Sequence, residues 1–289
     1  MKYPRGTCCS ELWGYNKNAC ETVDKFYFWF ARNVLRVKAS TCNIVTLGEC
    51  GIIPPSIFCH IRLILHAIRL INLQDGSVLN NVLNDTVHFQ KMGFKNWISH
   101  VQSTADIYDI DLYKYTYSET TKKMIKRIIK DNFINRWQLD LNDSEKYPIL
   151  RTYRLFKRNF CFEPHLNLIK NANHRSALNK FRCSSHLLAI ERGRHTKPKT
   201  PIENRLCFSC NIIEDEIHFL TNCKIYEYNR KLFFDAVSYK FPNFAHLSSE
   251  HKFIFLLSCE DPQITTHLGN FIHNAFQERE DFLRKLSLS

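Results

Sequence analysis

The chain has 289 residues, of which 44% are hydrophobic, and its 40 lysines and arginines against 28 acids give a formal net charge of +12. The apolar fraction suffices for a packed core, which excludes a globally disordered chain. The length suits one large domain or two of ordinary size. The excess of cations favours a polyanionic partner, although a basic isoelectric point is also common among proteins that are simply soluble.

The sequence carries no recognisable export signal or membrane span. Its N-terminal stretch lacks an apolar core followed by a small-residue cleavage site. Residues 52–73 are the most apolar stretch, but Pro54 and Pro55 interrupt it and Arg62 and Arg69 lie within it, which argues against a membrane span. We therefore expect a cytoplasmic or nuclear protein, not secreted and without a membrane partner. In a reducing compartment the 12 cysteines are expected as free thiols plus a metal site rather than as disulfides.

Apolar residues recur at helical spacing through the first half of the chain. One stripe consists of Val23, Phe26, Tyr27, Phe30, Val34 and Val37. Further helices are predicted over residues 56–73, 77–89 and 95–105. Ser118 is the expected N-cap of a long helix, whose inward face is predicted to hold Met124, Ile125, Ile128, Ile129, Phe133 and Trp137.

Residues 146–205 carry most of the excess positive charge. They hold 14 lysines and arginines against 3 acids, a net charge of +11, and apolar stripes within them predict three short helices. Such a concentration of cations is typical of surfaces that bind nucleic acid, so RNA or DNA is the expected partner. The residues assigned to phosphate contacts are Arg151, Arg154, Lys157, Arg158, Arg175, Lys180, Arg182, Arg192, Arg194, Lys197 and Lys199.

Aromatic side chains accompany these cations and are candidates for stacking on unpaired bases. They are Tyr153, Phe156, His174, Phe181 and Phe208. The alternative is that the aromatic residues form a core and the cations a solvated face. Residues 193–201, which contain Gly193, Pro198 and Pro201, are predicted to form an extended basic segment.

The next segment, residues 205–230, contains four potential metal ligands in the spacing C-x2-C-x7-H-x4-C. The ligands are Cys207, Cys210, His218 and Cys223. Three thiolates and an imidazole complete the tetrahedral shell that zinc takes in closed structural sites. Asp215 is a plausible N-cap for a short helix that carries His218. Zn2+ is therefore the expected cofactor, and the alternative is that these cysteines are ordinary packed thiols. One of His174, His186 and His195 is an alternative ligand.

After Arg230 the sequence again predicts helices. The last of them, over residues 264–286, has as packing residues at helical spacing Leu268, Phe271, Ile272, Ala275, Phe276, Leu283 and Leu286. The charged run in the same helix is predicted to be a solvated face, formed by Glu278, Arg279, Glu280 and Asp281.

The predicted fold class is mainly α. It comprises a helical N-terminal part, a basic helical segment, a small zinc-bound turn-helix and C-terminal helices. The corresponding division of the chain is residues 1–141, 142–204, 205–230 and 231–289.

The residues between Val23 and Arg230 resemble the C-terminal region of the polyprotein of non-LTR retrotransposons. The similarity is most specific at the cysteine–histidine turn with its trailing Tyr226 and Arg230. In that family a zinc-binding segment follows the reverse transcriptase, and residues 30–55 resemble the region just past the polymerase palm, on the thumb side, which implies a thumb-like region over residues 1–141. The resemblance implies that the four ligands bind zinc and that the basic surface handles template RNA or target DNA.

The same resemblance does not imply catalysis by this chain. Polymerisation in that family needs a palm with adjacent aspartates that hold two metal ions, and the nearest string, Tyr108-Asp109-Ile110-Asp111, lacks them. We therefore expect a non-enzymatic nucleic-acid-binding fragment. The alternatives are a helical protein-interaction scaffold with a purely structural zinc, or the C-terminal piece of a longer active reverse transcriptase.

Overall fold

A computed structural model describes residues 7–74 and 76–288, with side chains as far as residue 285. The fold is mainly helical, and the described residues contain no β-strand, only isolated bridges between Cys50 and Phe162 and between Leu206 and Ile213. This confirms the predicted mainly α class.

The α-helices follow one another along the chain with short connections. In order they are α1 (Ser10–Trp13), α2 (Lys17–Leu35), α3 (Asn43–Cys50), α4 (Pro55–Ile71), α5 (Val78–Lys91), α6 (Trp97–Asp106), α7 (Glu119–Asn142), α8 (Tyr153–Phe156), α9 (His165–Leu168), α10 (Ala172–Arg182), α11 (Ala189–Arg192), α12 (Glu216–Thr221), α13 (Glu227–Lys240), α14 (Ser249–Ser258) and α15 (Pro262–Leu288). Short 3-10 turns lie at Pro148–Leu150, Ile202–Asn204, Lys224–Tyr226 and Pro242–His246.

The chain divides into two compact units. Unit 1 runs to Phe30 and resumes over Ile52–Leu139, whereas unit 2 comprises Ala31–Gly51 and the chain from Asp140 onward. The four-part division by composition stays a prediction.

Unit 1 has its own apolar core, built around α4. Side chains from α4, α6 and α7 fill it, among them Ile61, Ile64, Val101, Ile125 and Ile129, all at most 1% exposed. Local capping explains where these helices begin, because Ser and Asn side chains satisfy the unpaired N–H groups of a first turn. The capping side chains are those of Ser77 for α5, Asn96 for α6 and Ser118 for α7. The predicted cap at Ser118 is thus confirmed.

Half of the apolar stripe predicted for helix α2 is exposed. The helix predicted there exists, but Phe26, Phe30 and Val34 are 61%, 47% and 47% exposed, whereas Ala31 and Leu35 are fully buried. Met124 of α7, predicted to face inward, is also exposed, while Ile125, Ile129 and Trp137 are buried as predicted.

Unit 2 packs α10 against α15 and α12 against α14. Its core is rich in aromatic rings, and Phe219 of α12 stacks on Phe276 of α15 at 4.7 Å between centroids. Gly269 of α15 allows close contact with Ile169, the residue after α9, because a Cβ at position 269 would lie 2.8 Å from Cδ1 of Ile169. Of the predicted packing residues of α15, Leu268, Phe271, Ile272 and Ala275 are buried, Phe276 and Leu283 are half-buried, and Leu286 lies outside the described side chains.

One residue of the predicted solvated face on α15 is in the interior. Arg279 is 5% exposed and forms two hydrogen bonds of 2.7 Å with the carboxylate of Glu214. The prediction was wrong for this position because its acidic partner lies on a segment remote in sequence.

None of the described helices is by itself long and apolar enough to cross a membrane. Two consecutive helices, α3 and α4, reach the required length and apolarity only when they are taken together across the break between them.

Candidate metal centre and basic surface

Cys207 and Cys210 lie on a tight hairpin whose backbone pairing fixes their separation. The N–H of Cys207 donates to the carbonyl of Ile212 at 2.7 Å, and the N–H of Glu214 donates to the carbonyl of Arg205 at 2.9 Å. The turn closes at Asn211, whose φ of +54° lies in the left-handed region that asparagine tolerates better than most residues. Both sulfurs therefore project from one turn.

His218 and Cys223 come from the short helix α12 and the turn that follows it. Asp215 is the N-cap, and its carboxylate accepts a hydrogen bond from the backbone N–H of His218 at 2.7 Å, as predicted. After α12 the N–H of Cys223 donates to the carbonyl of His218 at 2.9 Å. The backbone of Cys223 is also held by Arg230, whose guanidinium donates to the Cys223 carbonyl at 2.7 Å. The helix and its cap thus set the second pair of ligands.

The four predicted ligands meet in space. One donor atom from each of Cys207, Cys210, His218 and Cys223 lies within 4.8 Å of the others. The sulfurs of Cys207 and Cys223 are 3.8 Å apart, too far for a disulfide, whose sulfurs are about 2.05 Å apart. These residues can therefore hold a metal ion together.

The ring of His218 supplies a second sign of a metal-binding site. Its two nitrogens are buried, and neither has a hydrogen-bond partner among the described residues. A buried imidazole with no partner for either nitrogen costs free energy, because both groups have lost water. A metal ion bound to one of the nitrogens removes part of that cost.

The surroundings of Cys207 favour the thiolate that a metal ion requires. A hydrogen bond from the Cys223 thiol lowers the pKa of Cys207 well below its usual value against the opposing effect of burial, and the N–H groups of Ser209 and Cys210 act in the same direction. The pKa of Cys223 is raised correspondingly, because it keeps the shared proton. The sulfur of Cys210 accepts a hydrogen bond from the backbone N–H of Lys224 at 3.4 Å.

Two glutamates of the metal segment tie it to the rest of unit 2. Glu214 binds Arg279, and its carboxylate also accepts the backbone N–H of Ala189 at 2.6 Å. Glu216, 1% exposed, accepts from Arg151 at 2.7 Å and from His186 at 3.0 Å. Burial would raise the pKa of Glu216, but the hydrogen bond from His186 and the charge of Arg151 lower it to about 2.

The hydrogen bond with Glu216 explains the burial of His186. Its Nδ1 accepts from the backbone N–H of Leu188 at 3.4 Å, which leaves Nε2 to donate to Glu216. It is therefore a structural partner of Glu216, and the cluster uses His218 rather than the alternative ligands His174, His186 or His195.

Two of the cations assigned to phosphate contacts are instead buried in ion pairs. Arg182, 4% exposed, binds Glu49 at 2.7 Å and Glu163 at 2.6 Å, and donates to the carbonyl of Leu257. Lys157, 3% exposed, pairs with Glu163. The predicted phosphate contacts were therefore wrong for Arg182 and Lys157, because neither side chain reaches the surface.

Four other cations assigned to phosphate contacts form ion pairs or hydrogen bonds within the protein. Arg151 is shared between Glu191 at 2.9 Å and Glu216 at 2.7 Å. Arg194 lies 3.8 Å from Glu191. Arg154 and Arg175 donate to backbone carbonyls, those of Tyr147 and Ile169 among them. The members that are exposed are Arg158, Lys180, Arg192, Lys197 and Lys199.

Residues 193–201, named here the basic loop, are closed rather than extended. The N–H of Thr200 donates to the carbonyl of Gly193 at 3.0 Å, and the hydroxyl of Thr196 donates to the same carbonyl. The predicted extended segment was therefore wrong. Local hydrogen bonds between the two threonines close the loop, and these are the competing interactions that such side chains commonly offer.

Arg205 joins the basic loop to the metal hairpin. Its guanidinium donates to the carbonyls of Thr200 at 2.9 Å and Ile190 at 2.7 Å, while its own carbonyl accepts from Glu214. Gly193 leaves room for this side chain, since a Cβ there would lie 2.8 Å from Arg205. The hairpin that carries the first two ligands thus also holds the loop that carries Lys197 and Lys199.

The stacking candidates divide between core and surface. Tyr153, Phe156 and Phe181 are at most 6% exposed and belong to the core of unit 2. Phe208 is 51% exposed, and the guanidinium of Arg192 lies over its ring at 5.3 Å. His174 is half-buried beside His273. Phe208 is therefore an accessible aromatic ring on the metal hairpin itself.

A second cluster of potential ligands, Glu49, Glu163 and His165, has a different explanation. Their donor atoms also lie close together, but Arg182 neutralises both carboxylates. Burial lowers the pKa of His165 to about 3, and the charge of Arg182 adds to the effect. These groups form a buried ion-pair network, and we assign no metal to it.

Comparison with protein-family models, with curated proteins and with solved structures returns no match. The resemblance to non-LTR retrotransposons stays a hypothesis.

Sequence reasoning missed the buried network of Glu49, Glu163, Glu214 and Glu216 with their arginines. One signal was present, since residues 146–205 contain few acids, and a rare acid among many cations is a natural partner for one of them. The acids outside the segment, such as Glu49, left no local signal.

Proposed function

We propose that this chain is a zinc-stabilised module that binds RNA or DNA. One Zn2+ held by Cys207, Cys210, His218 and Cys223 fixes the hairpin, the helix α12 and the adjoining basic loop, whose exposed cations contact phosphates. The observation that carries the proposal is the convergence of three sulfurs on a buried imidazole whose nitrogens have no other partner.

The geometry of the cluster supports zinc in particular. Sulfurs bound to one tetrahedral zinc ion at about 2.3 Å lie about 3.8 Å apart, and Cys207 and Cys223 are separated by 3.8 Å. A set of three thiolates and one imidazole suits zinc better than magnesium or calcium, which prefer oxygen ligands. Because four protein ligands fill a tetrahedral shell, the proposed role of the ion is structural and not catalytic.

The exposed cations support phosphate contacts. Lys197 and Lys199 on the basic loop and Arg192 just before it are exposed, and Arg192 lies over the accessible ring of Phe208. Base stacking on such a ring is tolerant of sequence. Phosphate contacts supply most of the affinity of a sequence-independent binder.

The retroelement origin is part of the same proposal. The resemblance of residues 23–230 to the region that follows a reverse transcriptase supports a role in handling template RNA or target DNA. An open reading frame upstream of Met1 that encodes a palm with adjacent aspartates would instead make this chain the C-terminal piece of a longer polymerase.

The metal test is mass spectrometry of the intact protein under native conditions. We expect one zinc per chain in the wild type and none after Cys207→Ser combined with Cys210→Ser. Cys161→Ser is the matched control, because Cys161 is an exposed cysteine of the same unit outside the cluster. Retention of zinc by the double variant would refute the assignment of the ligands.

The nucleic-acid test is fluorescence anisotropy with labelled RNA and single-stranded DNA across a range of salt concentrations. Each phosphate contact contributes about 0.7 to the slope of log affinity against log salt for a single strand. Lys197→Ala with Lys199→Ala should therefore weaken binding and reduce the slope by about 1.4. Lys91→Ala with Lys95→Ala removes the same charge from exposed positions in unit 1 and serves as the control.

A second candidate function is a helical protein-interaction scaffold with a purely structural zinc. The ion pairs of Arg151, Lys157 and Arg182 favour it, because they consume part of the positive charge within unit 2. The scaffold binds zinc but has no affinity for RNA or DNA at physiological salt, so the anisotropy titration separates the two candidates.

A further inference from the structure

A cavity of about 620 Å³ lies in unit 2, at a place that neither the metal centre nor the basic loop occupies. Residues that follow α2 form one wall, α10 a second, and α15 a third. Its lining includes Arg36, Lys38, Lys180, Leu187, His273 and Phe276. The volume falls within the range of about 300–1,000 Å³ that small-molecule sites occupy.

The rim of the cavity is cationic. Arg36 and Lys180 are exposed, and the structure gives neither of them an ion pair with any described residue. Lys38 donates from Nζ to the carbonyl of His186 at 3.3 Å, which orients it along the same wall. Glu280 is the one acid among the lining residues. The rim thus offers unneutralised positive charge to an anion.

Arg36 takes a backbone conformation that a side chain disfavours. Its φ is +55°, and the N–H of Val37 donates to the carbonyl of Arg32 at 3.1 Å, closing the end of α2 in the way that usually employs glycine. An L residue is strained in that region, whereas glycine is free to adopt it. The conformation of the backbone therefore does not explain why an arginine occupies this position.

The lining of the cavity, in which most residues are polar, also includes an aromatic ring and an exposed leucine. The ring of Phe276 stacks on Phe219 at 4.7 Å and on His186, a second lining residue, at 6.3 Å between centroids, and these contacts fix its orientation. Leu187, which is 56% exposed, contributes a second apolar surface. A flat ring and an aliphatic side chain in the same lining as exposed cations suit a flat heteroaromatic group that carries an anion.

We propose that this cavity binds a nucleoside phosphate, with the base against Phe276 and Leu187 and the phosphate between Arg36 and Lys180. The inference rests on the proposed function where the nucleoside phosphate is one unit of a bound strand. A free nucleotide offers the same chemistry, and the test below separates the two sources.

Arg36→Gly combined with Lys180→Ala is the test variant. Anisotropy with a labelled 12-nucleotide oligouridine should show at least roughly tenfold weaker binding, because the variant loses both charge-assisted contacts to the phosphate. Arg36→Gly alone should leave the melting temperature unchanged or raise it by roughly 2–4 °C, because the strained position is relieved. A loss of affinity in a protein of equal or greater stability cannot come from unfolding.

Two further probes test the base. An abasic oligomer of the same length and charge should bind the wild type several-fold more weakly than oligouridine, and Leu187→Ala should reduce that difference. Lys91→Ala with Lys95→Ala controls for loss of charge alone. Uridine monophosphate, titrated by calorimetry, should lose affinity in the Arg36→Gly, Lys180→Ala variant.

The outcomes separate this inference from the proposed function. If the variant binds oligouridine as tightly as the wild type while Lys197→Ala with Lys199→Ala weakens binding, the proposed function stands and the cavity is not the site. If only uridine monophosphate binds, and with the expected sensitivity, the cavity holds a free nucleotide and strand binding is refuted. If polyglutamate competes as well as oligouridine, the specificity for a nucleoside phosphate is refuted.

Discussion

Arg182 holds two buried carboxylates at once. Its guanidinium forms a forked pair with Glu49 at 2.7 and 3.0 Å and a further bond to Glu163 at 2.6 Å, and the ring of Phe156 lies 4.6 Å from it. A buried ion pair of this kind adds little net stability by itself, but the loss of one partner leaves an uncompensated charge in the interior. The residue is therefore a structural requirement of unit 2.

Arg182→Met should destabilise the protein by about 3–5 kcal/mol, because Glu49, which is fully buried, loses its partner. Urea unfolding followed by circular dichroism measures the change. Arg158→Met, at an exposed position of the same segment, should shift the free energy of unfolding by less than about 0.5 kcal/mol. A loss below about 1 kcal/mol for Arg182→Met would contradict the buried network.

His165 makes stability depend on pH. Asn179 donates its amide to the carbonyl of Leu35, so its oxygen accepts from Nε2 of His165 at 2.8 Å. Burial and the charge of Arg182 lower the pKa of His165 to about 3, whereas an unfolded histidine titrates near 6.5. The unfolded state therefore binds a proton that the folded state does not, and stability falls as the pH decreases from 6.5 towards 3.

His165→Gln keeps an N–H donor for Asn179 but does not titrate. We expect the wild type to lose up to about 2–3 kcal/mol more stability than this variant between pH 6.5 and 4.5. Urea unfolding at several pH values measures the difference. His267→Gln, at an exposed histidine of α15, should follow the wild-type profile. Parallel profiles for His165→Gln and the wild type would show that His165 does not contribute.

At the scale of single elements, α12 owes its position to one cap. The helix has only six residues, too few to be stable by propensity alone. The carboxylate of Asp215 fixes its first turn by accepting the N–H of the ligand His218. The cap and the ligand are thus coupled through a single hydrogen bond.

Asp215→Ala should cost about 1 kcal/mol of stability and reduce zinc affinity by roughly fivefold, because an unformed first turn does not position His218. Asp215→Asn is the matched control, since asparagine caps about as well as aspartate. Competition with a chromogenic chelator measures the affinity. Equal weakening by both substitutions would show that the charge of Asp215, rather than its cap, supports the site.

At the scale of the whole molecule, local patterns predicted what is locally determined. The helices, the caps at Ser118 and Asp215 and the four clustered ligands depend on spacings within a few turns of chain. Partners remote in sequence were not predictable in the same way: Arg182 meets Glu49 across 133 positions, and Arg279 meets Glu214 across 65. The exposure of the cations in a basic segment is therefore overestimated when it is judged from the sequence alone.

Helix α2 shows a different limit of sequence patterns. Its period identifies a helix with an apolar stripe, but Phe26 and Phe30 of that stripe are 61% and 47% exposed. Amphipathicity records which side of a helix is apolar and does not say what covers that side.

The two units give the last prediction, which concerns the removal of the metal. Structural zinc contributes an apparent ~10–16 kcal/mol in small fingers, comparable to the whole stability of about 5–15 kcal/mol of a typical protein. The metal segment packs within unit 2, where α12 contacts α14 and the turn after Cys223 contacts α15. Unit 1 has a separate core around α4. Chelation should therefore reduce amide-exchange protection in residues 205–230, α14 and α15, and leave α4 and α6 protected.

Hydrogen exchange followed by mass spectrometry, with and without a chelator, measures protection along the chain. Cys207→Ser with Cys210→Ser should reproduce the chelated pattern without any chelator, and Cys161→Ser should respond to chelation as the wild type does. Equal loss of protection in both units would mean that the metal supports the whole chain. Unchanged protection in residues 205–230 would mean that the four side chains converge without a metal ion, in which case the unpartnered nitrogens of His218 need another explanation.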